Sequence, residues 1–326
     1  MIEAATPEGI ARAARCLKGG GLVALPTETV YGLAADASQR EAVARIYALK
    51  GRPADHPLIV HVPDLAAARY WAVFDARAER AAAAFWPGPL TLVLPRAPQA
   101  PAWACAGQPT IALRCPSHPV AQRVLAGFIA LGGHGVAAPS ANRFGRVSPT
   151  QARHVIDDLG EDAPLVLEGG AAEVGVESTL LDLSRDAPRL LRPGRIGRAQ
   201  LASALGESVF EAGQDAPRAS GTLAAHYQPR TPVIQVPASA LAARIAQAGP
   251  ARFGVWSSQA PAQPVTVWRS MPAHAAEAEA QLYAVLRELD GLQLDQILVE
   301  RPPAEPEWEA VADRLNRASH PAPPAG

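Results

Sequence analysis

Cationic and hydroxyl side chains stand where the predicted strands and helices of this sequence end. Four cations placed in this way, with several hydroxyls and one amide, suit a polyphosphate better than a metal ion or a thioester, since no cysteine or paired carboxylate accompanies them. The residues alone therefore predict an anion site for a nucleotide or a phosphorylated metabolite. The members of the set are Lys50, Arg52, Arg114, Arg192, Thr27, Thr29, Ser140, Asn142 and Ser148.

Lys50 stands out because the chain has only two lysines, Lys18 and Lys50, among 30 lysine and arginine residues. A lysine beside Arg52 at the end of a predicted helix indicates a need for a compact ammonium group. The alternative is a cation placed at a helix C-terminus to suit the helix dipole. The pattern alone leaves both interpretations open.

Other residues of the set also have structural interpretations. Thr29 could form a turn, and Ser140 and Asn142 could satisfy backbone groups of a loop. His61 alternates within a predicted strand, which is typical of a core histidine. Arg114 could pair with a structural carboxylate, as buried arginines often do.

The first of these groups lie in a strand, loop, helix and strand that follow one another. The apolar run Leu22–Leu25 predicts a buried strand, and the polar loop Thr27–Gly32 follows it. The spacing of apolar residues predicts a helix over Arg40–Leu49, which ends before Gly51. A second apolar run, Leu58–Val62, returns to the sheet, so that two strands hold a polar loop and a basic helix end.

Strands and helices alternate through residues 1–205, which predicts an α/β domain. Some links between strands are too short for a helical crossover, so the sheet should be mixed. We also expect a helix over Pro149–Leu159, with Ser148 as its N-cap. Residues 206–232 lack periodicity and read as a linker, and residues 233–326 predict a smaller α/β unit with a disordered tail from His320.

The composition excludes several classes of protein. The chain has 326 residues, a formal net charge of −1 and three widely spaced cysteines, which form neither a zinc pattern nor a disulfide framework. We find no signal peptide and no apolar run long enough to span a bilayer, so we expect a cytoplasmic protein with no membrane partner. Neither G-x-G-x-x-G nor a P-loop sequence is present, so a nucleotide must be held in another way.

Several ordered motifs closely resemble the YrdC-like domain of the threonylcarbamoyl-AMP synthases. A linker sequence, SGTLAAHYQPRTPV, resembles the long, two-domain form of that family. The resemblance covers nearly the whole chain, and several motifs in the same order are far more specific than one. The motifs are PTETVYGL, KGRPADHPLIVHV, WPGPLTLVL, TIALRCP, APSANRFGRVSPT, VESTLLDL and LLRPGRI.

The resemblance implies a fold and a reaction. The fold is a YrdC-like twisted open mixed sheet with a deep concave face, a smaller Rossmann-like α/β C-terminal domain, and a linker that folds back over the active site. The enzyme is a nucleotidyltransferase that converts L-threonine, bicarbonate and ATP into threonylcarbamoyl-AMP, pyrophosphate and water. The product then passes to a separate transfer complex that modifies tRNA next to the anticodon.

The resemblance also implies roles for individual residues. Lys50 and Arg52 would be catalytic and would offset charge on the triphosphate. Mg²⁺ would arrive with ATP, without a metal site of the protein's own. The nucleotide would contact Lys50, Arg52, His56, Thr110, Ser140, Asn142, Ser148, Arg192 and Tyr227, and threonine would contact Thr29, His61, Arg114, Ser178 and the Ala138 backbone.

One feature departs from the family pattern. The linker reads Ala219-Ser220-Gly221 where the family often has a proline in the middle position. We expect the loss of proline to loosen this segment.

Two other functions remain as alternatives. The first is RNA binding on a concave basic face, although the near-neutral charge opposes it and nothing in the sequence indicates direct tRNA contact. The second is a carbamoyl-adenylate enzyme with a different donor, as in hydrogenase-maturation proteins, but the zinc-finger part of those chains has no counterpart in three scattered cysteines.

Overall fold

The computed structural model describes residues 1–213, 216–247 and 251–320. Internal contacts divide the chain into two units, which we describe separately. The first unit comprises Met1–Phe144 and Pro149–Thr222, and the second comprises Gly145–Ser148 and the chain from Leu223 onward. The division at Thr222 falls within the predicted linker, whereas residues 321–326 of the predicted tail lie outside the described residues.

The first unit contains an eleven-stranded mixed sheet among the described residues, with the order β1-β8-β2-β3-β7-β4-β6-β5-β9-β10-β11. The two central strands β4 and β6 run parallel, whereas β5 and β7 run antiparallel to them. The predicted mixed α/β sheet is therefore confirmed. The strands are β1 Ile2–Ala4, β2 Val23–Leu25, β3 Gly32–Asp36, β4 Ile59–His61, β5 Leu90–Pro95, β6 Thr110–Arg114, β7 Val136–Ala137, β8 Leu165–Glu168, β9 Thr179–Asp182, β10 Arg189–Arg192 and β11 Phe210–Glu211.

The helices of the first unit cover much of the sheet. Strands β4, β5 and β6 turn Val60, Leu92 and Leu113 into the large hydrophobic core, because alternate residues of a strand share a face. The opposite face carries a small apolar cluster that includes Ile59 and Val93. The helices are α1 Pro7–Lys18, α2 Arg40–Lys50, α3 Leu65–Ala68, α4 Ala76–Phe85, α5 Pro119–Ala130, α6 Ala152–Leu159 and α7 Arg198–Leu205.

The second unit has a smaller sheet of four parallel strands in its described part, with the order β12-β15-β13-β14. Parallel strands joined through helices agree with the predicted Rossmann-like α/β architecture. Its elements are β12 Val233–Val236, α8 Ala238–Gln247, β13 Phe253–Ser257, β14 Val267–Ser270, α9 Ala275–Asp290, β15 Gln296–Glu300 and α10 Glu309–Ser319.

One helix start was predicted wrongly, and one strand was not predicted at all. Helix α6 begins at Ala152 with Gln151 as N-cap, not at Pro149 after Ser148. The Pro149 carbonyl accepts a hydrogen bond from the Tyr31 N–H at 2.8 Å, which holds this stretch against β3 and keeps it out of the helix. Strand β3 was not predicted, because its small residues show neither alternation nor high strand propensity, and its position comes from pairing with β2 and β7.

Helix α2 ends as the sequence predicts, with Lys50 as its last residue. Gly51 follows in the left-handed conformation, with φ of 62°, and its N–H and that of Arg52 return to carbonyls of the last turn. This conformation suits glycine, because a Cβ atom there approaches the following carbonyl. After this turn, Lys50 contacts the carbonyls of Ser140 and Asn142, and Arg52 contacts that of Pro57.

We expect Gly51→Ala to lower the free energy of unfolding by about 1–2 kcal/mol, because alanine is strained at positive φ. An added Cβ meets no atom within 4 Å, so conformational strain alone should account for the loss. Urea unfolding would measure it. Gly19→Ala is the matched control, since Gly19 caps α1 with φ of −75°, and an equal loss in both variants would contradict this explanation.

Candidate active site

Lys50 joins two of the sequence motifs. Its Nζ donates hydrogen bonds of 2.5 Å to the carbonyls of Ser140 and Asn142. The side chain is 2% exposed, and it forms no ion pair with a carboxylate of the described residues. Burial, with a further contribution from the charge of Arg52, holds the pKa of Lys50 well below its ordinary value. Two N–H groups are thus occupied by backbone, and the third is left for a ligand.

Arg52 places a second cation next to this ammonium group. Its guanidinium lies 5.5 Å from the ring centroid of Phe144, and Nη2 donates to the Pro57 carbonyl at 3.1 Å. His56 meets the same phenylalanine ring edge-on, with centroids 5.5 Å apart. Burial and the Arg52 charge both lower the pKa of His56. Like charges held together in this way form an electropositive site suited to an anion.

A row of polar residues crosses three neighbouring central strands at one end of those strands, and we call this row the polar edge. His61 ends β4 and Arg114 ends β6, and the two are paired in register. Thr91, near the start of β5, is the partner of Arg114 on the other side. The Thr91 hydroxyl lies 2.7 Å from that of Ser178, just before β9. The residues predicted to contact threonine, His61, Arg114 and Ser178, are therefore brought together.

Thr29 and Glu28 reach the same place from the loop after β2. Arg114 Nη1 donates to the Thr29 hydroxyl at 2.7 Å. Arg114 Nη2 lies 2.7 Å from Glu28 Oε1, and both side chains are 5% exposed. This ion pair lacks the alignment of a hydrogen bond, so both Glu28 oxygens, and Nε and Nη2 of Arg114, have no hydrogen-bond partner in the described part of the chain.

Arg192 holds Ser178 to the segment that follows β11. Its Nε and Nη2 donate to the Ser178 carbonyl at 3.2 and 2.9 Å, and Nη1 donates to the Ser220 carbonyl at 2.9 Å. Residues 216–222, which we call the strap, are thereby tied to the first unit. In addition, Arg218 and Gln108 exchange two hydrogen bonds of 3.0 Å, from backbone N–H to side chain and from side chain to carbonyl.

The strap lies against the apolar cluster of the sheet. Ala216 and Ala219 pack on the cluster that contains Ile59 and Val93. A cavity that is partly open to solvent is lined by the strap and by Thr110 at the start of β6. Thr110 thus lies at the opposite end of β6 from Arg114.

The remaining predicted residues fall into two groups. Ala138 follows β7 and donates its N–H to the Ile59 carbonyl at 3.0 Å, next to the loop that Lys50 binds. Ser148 and Tyr227 belong to the second unit. Tyr227 is buried there, with φ of 60°, and its ring lies 5.6 Å from that of Tyr283.

Two members of the polar group were not predicted from the sequence. Glu28 stands between Thr27 and Thr29 in a motif that otherwise supplied hydroxyls, and the predicted set of site residues contains no carboxylate. Thr91 has no signal beyond its place in an apolar strand. Arg114 pairs with a buried carboxylate, as one of its two interpretations predicted, and Glu28 is that carboxylate.

Comparison with known proteins finds family models and relatives that match most of the chain. The family model for the Sua5, YciO and YrdC proteins, described as "Telomere recombination", matches residues 15–194, and the model of the threonylcarbamoyl-AMP synthase C-terminal domain matches residues 196–320. The threonylcarbamoyl-AMP synthase of Pyrococcus abyssi is 36% identical over 94% of this chain and 93% of its own. That of Bacillus subtilis is 37% identical over 95% and 92%.

The chain belongs to the threonylcarbamoyl-AMP synthase family. The crystal structure of P. abyssi Sua5 complexed with L-threonine superimposes with a TM-score of 0.90 and 35% identity, over 98% of this chain and 97% of that one. Escherichia coli YciO, at 23% identity and a TM-score of 0.51, shares the fold over 60% of this chain. Family membership and fold thus confirm the resemblance that the motifs indicated.

No helix of the described residues combines the length and the apolar character needed to cross a membrane. Within the same residues, no group of three or more His, Cys, Asp or Glu side chains is arranged to hold a metal ion.

His61 should make the stability of the first unit depend on pH. Burial, and then the Arg114 charge, lower the pKa of His61 to about 3, so the native state holds it neutral. The unfolded chain binds a proton below about pH 6.5, and stability should therefore fall from there toward pH 3, by up to about 1.4 kcal/mol per pH unit. Hydrogen exchange of β4 and β6 amides would report this loss.

We expect His61→Asn to reduce that slope by the contribution of one proton, because asparagine does not titrate. His274→Asn, at an exposed histidine of the second unit, is the control. An unchanged slope in His61→Asn would contradict the assignment of a buried neutral His61.

Proposed function

We propose that this protein joins L-threonine, bicarbonate and ATP to form threonylcarbamoyl-AMP, with release of pyrophosphate and water. The observation that carries the proposal is the buried Lys50 ammonium group, bound to the carbonyls of Ser140 and Asn142 and next to Arg52. A buried cation without a carboxylate partner is costly, and a triphosphate would supply the missing negative charge.

The nucleotide contacts follow from this arrangement. Lys50 and Arg52 would bind the phosphates, His56 would stand beside Arg52, and the loop with Ser140 and Asn142 would offer its hydroxyl and amide. Thr110 lines the cavity under the strap and would contact another part of the nucleotide. Arg192 would contact the nucleotide from its position between the Ser178 and Ser220 carbonyls. The roles of Ser148 and Tyr227 stay predictions.

The threonine site would be the polar edge of the sheet. Arg114 Nε has no hydrogen-bond partner among the described residues, and Nη2, which lies 2.7 Å from Glu28 Oε1, makes no aligned hydrogen bond. This edge of the guanidinium could take a carboxylate through two parallel hydrogen bonds. Thr29 accepts a hydrogen bond from that guanidinium, and Ser178 lies against Thr91 on the neighbouring strand. Either hydroxyl could bind the substrate hydroxyl, with neutral His61 and the Ala138 backbone completing the site. The P. abyssi relative has been crystallised with L-threonine.

The chemistry needs positioning and charge neutralisation. The threonine ammonium group loses a proton to water, and the free amino group joins bicarbonate with loss of water. The resulting carbamate oxygen attacks the α-phosphorus of ATP. The bond from that phosphorus to the bridging oxygen breaks, and pyrophosphate leaves with the negative charge. Lys50 and Arg52 would offset this charge as it develops.

The metal and the cellular context complete the proposal. Mg²⁺ would enter as part of the ATP substrate and keep most of its waters, because the phosphate-binding residues are cations, hydroxyls and an amide. The enzyme would work in the cytoplasm and hand its product to a separate threonylcarbamoyl-transfer complex for tRNA modification.

Pyrophosphate release from ATP and Mg²⁺ tests the function directly. L-threonine and bicarbonate are added separately and together, and we expect release only when both are present. Release without threonine, or no release in any mixture, would contradict the proposal. In the latter case, salt-sensitive tRNA binding would favour the RNA-binding alternative.

Lys50→Ala should lower kcat/KM for ATP by roughly 10²–10³-fold, as the loss of one charge-stabilising donor does elsewhere. Lys18→Ala is a matched control, because Lys18 also ends a helix and donates to a backbone carbonyl, that of Gly132 at 2.8 Å. We expect it to stay within about twofold of the wild type, with unchanged circular dichroism in both variants. Equal activity of the two variants would count against the site.

A further inference from the structure

Glu28 is a charged residue of the polar edge to which the proposed reaction gives no role. Its side chain is 5% exposed, and neither carboxylate oxygen accepts a hydrogen bond from any described residue. A buried carboxylate that accepts no hydrogen bond lowers the stability of the fold, so a role in stability alone accounts poorly for Glu28. Its only ion-pair partner in the described chain is Arg114, at 2.7 Å.

The surroundings of Glu28 limit what it could bind. The Arg114 guanidinium next to it repels a divalent cation, and the described residues hold no group of three or more His, Cys, Asp or Glu side chains that could bind one. Thr29 and Arg114 supply hydrogen-bond donors on the adjoining side. A suitable ligand must therefore carry a single positive group close to a negative one.

An α-amino acid zwitterion has this pattern of charge. Its ammonium and carboxylate groups are attached to one carbon, and the Glu28 and Arg114 groups are equally close to each other. When the amino acid lies antiparallel to the Glu28–Arg114 pair, its ammonium group faces Glu28 and its carboxylate faces Arg114. The atoms of both residues that lack hydrogen bonds then gain them. A lone anion would pair with Arg114 but leave Glu28 unsatisfied.

We propose that Glu28 binds the α-ammonium group of the amino acid substrate and makes the site selective for a zwitterion. This inference rests on the proposed function, in which Arg114 binds the threonine carboxylate. Glu28 would then distinguish threonine from hydroxy acids of the same shape, because these leave its oxygens without a donor. The same contact would hold the amino nitrogen in place before it reacts with bicarbonate.

The test compares two ligands that differ only in the amino group, L-threonine and (R)-3-hydroxybutanoate. Their binding to the full chain is measured by calorimetry without ATP or bicarbonate. The wild type should bind threonine roughly 100-fold more tightly, and Glu28→Gln should lose this preference through weaker threonine binding alone. Glu168→Gln, which removes a carboxylate that accepts from Gly169 and Gly170 N–H groups, should keep it.

Each result decides between distinct readings. A wild type that binds both ligands equally overturns the inference without any variant, and so does an equal loss for both ligands in Glu28→Gln. Should Glu28→Gln fail to fold, Glu28→Asp keeps the charge and should retain a preference for threonine. A wild type that binds threonine selectively but releases no pyrophosphate would refute the proposed reaction and leave the role of Glu28 intact.

Discussion

The burial of the Lys50 ammonium group is the interaction on which the active site depends. Its two hydrogen bonds fasten the end of α2 to the loop that carries Ser140 and Asn142, which is 90 residues further along the chain. The strands β3, β7 and β4 place that loop beside the helix, so the sheet order is needed to make the contact. Without an anionic ligand this arrangement is electrostatically unfavourable, and the packing of the large core must hold it in place.

The sheet separates two kinds of surface on one face. Near the starts of β4 and β6, Ile59, Ala112 and Val93 present an apolar floor under the strap. Where the same strands end, His61 and Arg114 replace them, two residues along on the same face. A change of one pleat therefore turns an apolar surface into a polar one. Under the proposed function, the nucleotide and the amino acid would meet where these two surfaces join.

Much of the fold could be predicted from the sequence, because its signals are local. The apolar runs around β2, β4, β5 and β6 and the glycine after Lys50 each act within a few residues. Strand β3 and the start of α6 could not be predicted, since pairing across the chain decides both. The candidate residues of the site were predicted from hydroxyls and cations in motifs. Glu28 was not, because its importance appears only when Arg114, 86 positions later, lies next to it.

Arg192 supports two separate parts of the first unit with one side chain. One guanidinium divides its donors between the carbonyl of Ser178, at the polar edge, and that of Ser220, in the strap. Removing this guanidinium would therefore take the same support from two separate places at once, the backbone before β9 and the segment that lies over the apolar floor.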